Sequence, residues 1–293
     1  MQSQKSFAKN QTSGILYLVP TPIGNLGDMT FRSVEILKEV DIIASEDTRN
    51  TQKLLNHFDI ETKQISFHEY NTRQRVPELV ERLRNGENIA QVSDAGMPSI
   101  SDPGHDLVVA CVEQAISVVP LPGANAGLTA LIASGLSPQP FYFFGFLNRK
   151  PAEQKRQLEK LANKEETLIF YEAPHRLKKT LTNMSAIFGA DRSAVLCREL
   201  TKKFEEFLRG SIQELLDWAT DNEIRGEFVV IVEGNAHPEN PEEALPEMSV
   251  EDQVTNLIST GEKPNDAIKQ VAKLRGLKKQ DVYATYHHLR DSK

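Results

Sequence analysis

Of 293 residues only two are cysteines, Cys111 and Cys197, and each sits inside an apolar run. A core thiol is the expected role there, and two thiols cannot assemble a cysteine-rich metal site. The longest apolar runs, such as Phe141 to Leu147, fall far below the roughly 20 residues that cross a bilayer, so neither a membrane span nor a membrane partner is expected. No GxGxxG and no GxxxxGK[ST] occurs, which disfavours a dinucleotide or a nucleoside triphosphate. His68 and Glu69 lack HExxH spacing, and His287 and His288 lie in the tail; no metal is expected. The opening MQSQKSFAKNQTS has no apolar block of the secretory kind, so residues 1–13 are expected to be a disordered tail and the protein cytoplasmic. Positive charge is also short: 34 Lys and Arg stand against 41 Asp and Glu. A net charge of −7 argues against a general grip on nucleic acid but leaves room for local basic patches.

What is present suffices for a core. Hydrophobic residues make up 39% and charged residues 26%, the balance of a folded globular chain. From Ile15 onward, the runs ILYLV, DIIAS, QISF, IAQV and ISVV alternate with amphipathic stretches, and FYFFGF follows. That alternation predicts an α/β fold. Val76, Leu79, Val80 and Leu83 form the clearest helical stripe, with a stop at Asn85-Gly86. The break at Arg149-Lys150-Pro151 sets an expected boundary, giving an N-terminal α/β domain over 14–149 and a second over 150–234. In the second, TLIFY, AVLC, FEEFLRG and EFVVIV read as antiparallel strands among two or three helices, one of them opened by a capping box of Ser211 and Glu214. Residues 235–248 carry four glutamates and no base, an acidic linker. Residues 249–293 pattern as a small helical domain, either a helix-turn-helix or a plain hairpin. Ala267, Ile268, Val271 and Leu274 share one face there, Arg275-Gly276-Leu277 make a turn, and a second helix runs from Lys279 through Leu289.

Three loops stand out, each following a strand: Thr21 to Asp28, Ser93 to Gly104, and Leu121 to Ala126. In an open parallel sheet such loops gather at the carboxyl edge, where these folds bind ligands. Glycine permits close backbone approach, and proline stiffens the loop. Asp94 and Asp102 offer carboxylates that suit hydroxyls, amines or a cation; each is otherwise an Asx-turn or helix-capping residue. Charged turns follow four more strands: Glu46 to Arg49, His68 to Asn71, Glu172 to Arg176 and Arg198 to Lys203. Singly each reads as a cap or solvated turn; together they point to a shared cleft between the domains.

The ordered motifs LVPTPIGNLGDMTFR, SEDTRNTQKLL, SDAGMPSISDPG, PLPGANA, FYEAPHR and RELTKKFEEFLRG resemble the tetrapyrrole methylase superfamily, and within it the ribosomal RNA small subunit 2′-O-ribose methyltransferase I family. The match runs from about Gly14 to Gly234. The resemblance implies a two-domain, non-Rossmann methyltransferase fold, a homodimer, and S-adenosyl-L-methionine bound in the cleft. It carries cofactor contacts over to Pro22, to Asp94, Ala95, Gly96 and Ile100, to Asn125 and Ala126, and to Glu172 and Leu200. Asn125 stands where relatives often show Ser, Thr or Cys.

The implied reaction is methyl transfer to the ribose 2′-oxygen of a cytidine in the decoding centre of 16S ribosomal RNA. A ribose hydroxyl is a weak nucleophile and must lose its proton. Glu46 and Asp47 match a superfamily position proposed to accept one, and His68 follows one strand later; Asp47 can equally be a structural partner of Arg49. RNA contacts are assigned to Arg49, His175, Arg176, Lys178, Lys179, Lys202 and Lys203, with Lys278 and Lys279 of the tail as a second anchor. The competing readings are a carbon methylase of a tetrapyrrole precursor and a DNA-binding regulator.

Overall fold

A computed structural model describes residues 3–5, 13–238 and 248–288. The chain divides into two compact units, residues 1–162 with 166–234, and residues 163–165 with 235–293. Most of the expected N-terminal tail, most of the expected acidic linker and Leu289 lie outside the described residues. Within the tail, Gln4 donates to the Val118 carbonyl (2.8 Å) and accepts from its N–H (3.0 Å). That short stretch is therefore tied to a strand rather than free.

The first sheet holds β1 (Ile15–Leu18), β2 (Ile42–Ser45), β3 (Gln64–Ser66), β4 (Ile89–Val92) and β5 (Ser117–Pro120), all parallel in the order β3-β2-β4-β1-β5. Helices α1 (Phe31–Glu39), α2 (Thr48–His57), α3 (Thr72–Arg84) and α4 (Gly104–Glu113) join them. Leu16, Ile42, Ala44 and Ile89 pack with Leu79 and Leu83 of α3 and Leu107 and Cys111 of α4. Ile43, Ala90 and Val92 pack with Leu37 of α1 and Leu55 of α2. With helices on both faces, β2 and β4 are buried throughout, which is why they read as unbroken apolar runs. The stripe on α3 is buried at Leu79, Val80 and Leu83, and the chain leaves the helix through Asn85 and Gly86, the latter at φ +92°.

The second sheet holds β6 (Phe141–Phe146), β7 (Thr167–Glu172), β8 (Ser193–Arg198), β9 (Glu206–Ser211) and β10 (Phe228–Val232), in the order β6-β7-β10-β8-β9. Only the β6–β7 pair is parallel. Helices α5 (Ala126–Ser134), α6 (Pro151–Leu161), α7 (Pro174–Phe188) and α8 (Ile212–Asp221) cover it. Leu158 of α6, Leu177 of α7 and Leu215 of α8 bury Leu168, Phe170, Leu196 and Val230 on one face. Ala130 and Leu131 of α5 bury Ile169, Val195, Val229 and Ile231 on the other. The expected capping box opens α8, with Ser211 and Glu214 bonded reciprocally.

The expected boundary near residue 149 is corrected. β6 pairs with β7 from Phe141 opposite Thr167 onward, and α5 packs on this sheet, so the crossing falls earlier, before α5, in the Pro- and Gly-bearing stretch Leu121 to Asn125. The break at Arg149-Lys150-Pro151 marks only the start of α6, where Pro151 occupies the first helical turn and costs no hydrogen bond.

The second unit contains α9 (Val250–Ser259), α10 (Pro264–Leu274) and α11 (Lys279–Tyr286). Val254, Ala267, Ile268, Val271, Ala272 and Val282 form its core. Three helices therefore share that core, one more than either a hairpin or the expected pair. Leu274, assigned above to the core face, is 53% exposed at the last position of α10, while Ala272 is buried. Among the described residues no helix is long and apolar enough to cross a membrane.

Candidate functional site

The loops after β1, β4 and β5 are fastened to one another at the carboxyl edge of the first sheet. Thr21 and Gly96 exchange two backbone hydrogen bonds, each 3.0 Å, and the Thr21 hydroxyl donates to the Ser93 carbonyl (3.1 Å). Gly96 sits at φ +78°, and a Cβ there meets the Ala124 carbonyl oxygen at 3.3 Å. Gly123 approaches so closely that a Cβ falls 2.5 Å from that of Pro20. Both positions require glycine, one for its backbone angle and the other for space.

These loops and the second sheet enclose a cavity of about 320 Å³, within the range of roughly 300–1,000 Å³ usual for small-molecule sites. Of the residues carried over as cofactor contacts, Asp94, Ala95, Gly96, Ile100, Asn125, Ala126 and Leu200 line it. Two expected contacts do not. Pro22 is replaced at the wall by its neighbour Ile23. Glu172 is buried and committed elsewhere: it accepts from the Thr180 hydroxyl (2.6 Å) and pairs with Arg176 (3.3 Å). Met97 and Glu199, from the loop after β4 and the turn after β8, also line the cavity, as do Phe146, Tyr171, Glu227 and Val229, which lay outside every loop singled out from sequence. Tyr171 was legible by alternation in β7, where Leu168 and Phe170 face one helical layer and Ile169 and Tyr171 the other. The Cys197 side chain reaches the same wall. Burial pushes its thiol up to about 12, as it does that of Cys111 in the core.

Asn125 caps α5, its Oδ1 accepting the Leu128 N–H (2.9 Å). The Ala126 N–H, in the first turn of α5, bonds to no group among the described residues, leaving a donor at the cavity wall. Asp102 resolves as a turn and capping residue: its carboxylate accepts from the N–H groups of Ser99 and Gly104 (both 2.8 Å) and from Gln91 (3.1 Å). Asp94 accepts from the Asp47 N–H (3.1 Å), and its own N–H donates to Glu46 Oε2 (3.2 Å).

Of the three proton-acceptor candidates, only Glu46 faces the cavity. Burial pushes its carboxyl above the usual range, and the charges of Asp94, Asp102 and Asp47 push the same way, against the lowering effect of the Asp94 N–H bond. Asp47 lies outside. Its carboxylate holds Arg49 through two bonds (2.7 and 3.0 Å), caps α2 through the Arg49 N–H (2.8 Å), and is lowered to about 2. Those bonds make it the structural partner of Arg49. His68 is also outside, with Nε2 3.3 Å from the Asn71 amide nitrogen and a buried Nδ1 without a partner.

A second hollow of about 710 Å³ shares Glu46, Ser101 and Asp102 with the first, and Glu69, Thr72, Arg73, Val76, Pro77, Pro103 and Asp106 complete its wall. Glu46 therefore stands where the two meet.

The expected RNA contacts separate into two groups. Arg176 is an internal strut: it pairs with Glu172 and donates to the Leu147 carbonyl (2.7 Å), so it is not available to RNA. Its spacing four residues after Glu172 on a helix start was the overlooked signal. His175, Lys178, Lys179 and Lys203 are exposed, and Lys203 lies 5.5 Å over the Phe204 ring. Lys202 pairs with Glu199 (3.0 Å) at the cavity lip. Arg49 is exposed although paired. Lys278 and Lys279 are exposed at the start of α11 in the second unit. Among the described residues no group of three or more His, Cys, Asp or Glu is arranged to hold a metal ion.

The model of the tetrapyrrole (corrin/porphyrin) methylases matches residues 15–216. Ribosomal RNA small subunit methyltransferase I of Streptococcus pyogenes serotype M18 (strain MGAS8232) is 56% identical over 289 residues, covering 99% of this chain and 100% of its own. The protein of the same name from Bacillus subtilis (strain 168) is 52% identical, covering 98% and 99%. Among solved structures, diphthine synthase superposes with a TM-score of 0.59 at 13% identity over 75% of this chain and 90% of that one. Uroporphyrin-III C-methyltransferase from Thermus thermophilus, complexed with S-adenosylhomocysteine, gives 0.55 at 16% identity over 75% and 97%. At such identities the two structures show the fold alone.

Proposed function

The chain belongs to the tetrapyrrole (corrin/porphyrin) methylases and, among them, to the ribosomal RNA small subunit methyltransferase I family; on that premise we propose that it uses S-adenosylmethionine to methylate the 2′-oxygen of a cytidine in the decoding centre of 16S ribosomal RNA, within the assembled small subunit. The observation that carries the proposal is the position of Glu46, a half-buried carboxylate where the loop-lined cavity meets a second, open hollow.

The first cavity fits the methyl donor in kind. Ile23, Met97, Phe146 and Val229 give it apolar walls, Asp94 offers a carboxylate for an ammonium or for ribose hydroxyls, and the Ala126 N–H offers a donor for a carboxylate. Bound there, S-adenosylmethionine would supply an electrophilic methyl group on a sulfonium centre, with a neutral thioether as its leaving group. Glu46 takes the proton of the 2′-hydroxyl; its raised pKa makes it a better base than an ordinary carboxylate. The glycine-locked loops hold the donor pocket rigid, and positioning alone is worth about 7 kcal/mol or more in ideal cases. His175, Lys178, Lys179 and Lys203 hold phosphates, contacts that position RNA without reading it. A second copy completes a homodimer through apolar surface left open at Leu128 and Ile132 of α5 and at Phe141 and Tyr142 of the edge strand β6. The protein works in the cytoplasm, with its substrate.

The test incubates the protein with methyl-labelled S-adenosylmethionine and unmodified small subunits, then hydrolyses the RNA in alkali, which cannot cleave beside a 2′-O-methyl ribose. Label in an alkali-resistant dinucleotide is the expected result. Label in mononucleotides means base methylation; absence of labelled RNA despite cofactor binding means a small-molecule acceptor such as a tetrapyrrole.

A further inference from the structure

Glu46 belongs to both hollows, so a proton acceptor for the reaction opens onto space that the methyl donor's cavity does not use. That space has a definite chemistry. Val76 and Pro77 of α3 and Pro103 before α4 give an apolar wall, suited to the face of a flat ring. Around it stand three ionic side chains, Glu69, Arg73 and Asp106, none of which makes a hydrogen bond or ion pair among the described residues. The charged turns beside the first cavity are, by contrast, paired: Asp47 with Arg49, Glu172 with Arg176, Glu199 with Lys202. Tyr70, in the turn beside Glu69, is 93% exposed, an aromatic face of the kind on which unpaired bases stack.

We propose that this hollow receives the acceptor nucleoside, lifted out of its stack, and that Glu69 and Asp106 select its base; the inference rests on the ribose-methylation reading. Entry from this side brings the 2′-hydroxyl to Glu46 with the methyl donor beyond it. Carboxylates accept hydrogen bonds and cannot donate them. They therefore favour a base that presents an amine, as cytosine does at N4, and repel uracil, which presents the O4 acceptor at the same position. Arg73, the lone cation of the wall, is left for the phosphate attached to that nucleoside. The hollow is too acidic for a run of phosphates, so the rest of the backbone passes outside it.

The experiment uses the full chain and small subunits reconstituted with either cytidine or uridine at the modified position, and compares wild type with Glu69→Gln, Asp106→Asn and Arg73→Ala. S-adenosylmethionine affinity, measured by calorimetry, is expected to stay within about twofold in all three, since none lines the donor cavity; this also reports that each variant is folded. For wild type the ratio of kcat/KM on cytidine over uridine is expected at about tenfold or more. Glu69→Gln and Asp106→Asn, whose amides can donate, are expected to shrink that ratio at least threefold. Arg73→Ala is expected to raise KM for both substrates about equally. An unchanged cytidine-to-uridine ratio in both carboxamide variants overturns the assignment of this hollow while leaving ribose methylation standing. Failure of the wild type to methylate either subunit overturns the underlying reading and the inference with it.

Discussion

Glu46→Gln separates the chemistry of the site from its architecture. Glutamine keeps the oxygen that accepts the Asp94 N–H (3.2 Å) and the volume of the side chain, and removes only the proton-accepting capacity. A positioned general base contributes about 10²- to 10⁴-fold, so kcat on small subunits is expected to fall by about 10²-fold or more, with S-adenosylmethionine affinity within threefold of wild type. The pH dependence carries the sharper signature. The base acts ionised, so wild-type kcat is retained above the folded-state pKa of Glu46 and lost as pH falls through it. Burial raises that pKa, and the acidic limb is therefore expected above the ordinary carboxylate range. In Glu46→Gln the limb disappears. Stability moves in the opposite sense: because the folded state holds this proton more tightly than the unfolded chain, the ionised carboxylate opposes folding once pH passes the raised pKa. The melting temperature of Glu46→Gln near neutral pH is accordingly expected to equal or exceed that of wild type. A variant whose kcat stays within threefold and keeps the acidic limb refutes the assignment of Glu46 as base.

Other perturbations probe the frame around it. Gly96→Ala places a side chain at φ +78° against the Ala124 carbonyl; about 1–2 kcal/mol of stability and a measurable part of cofactor affinity are expected to go, and an unchanged melt and affinity contradict the loop-packing account. Arg176→Met leaves Glu172 buried without its partner, so urea unfolding should show a loss of about 3 kcal/mol or more, with RNA binding keeping its salt slope. Lys178→Ala with Lys179→Ala is the converse case: stability is expected within about 0.5 kcal/mol per site, and the slope of log affinity against log salt falls by about 0.7 per lost phosphate contact. Ending the chain at Gly234 removes Lys278 and Lys279, and filter binding should show weaker RNA association while cofactor affinity stays the same; full RNA affinity contradicts any contact by the second unit.

The strands were readable because strands buried on both faces leave unbroken apolar runs, as β2 and β4 do. The three ligand loops were readable because glycine and proline cluster where backbones touch. What sequence order hid was the allocation of elements to sheets. FYFFGF looks like the last strand of the first series, yet its partner is β7, and adjacency in sequence carries no information about which sheet an edge strand joins. The stronger break in composition, at Lys150-Pro151, reports a helix start instead. The site residues divide similarly. Asp94, Gly96 and Ala126 lie on the recognisable loops, whereas Tyr171, Phe146 and Val229 come from strand positions that differ from core residues only in which face they occupy. Arg176 misled, and Asp47 stayed open between base and ion-pair partner, because a charged residue after a strand reads the same whether its charge is free or already matched.

Cys197 lies in the wall of the cavity proposed to hold the methyl donor. Sulfur in its anionic form is a far better nucleophile toward an activated methyl group than a ribose hydroxyl, so a thiolate there invites the enzyme to alkylate itself. Burial pushes the thiol up to about 12, so it stays protonated at neutral pH. Burial in the second sheet's core thus outweighs the lowering pull of the nearby Arg209, and a looser wall at this position is expected to leave the thiol open to self-methylation.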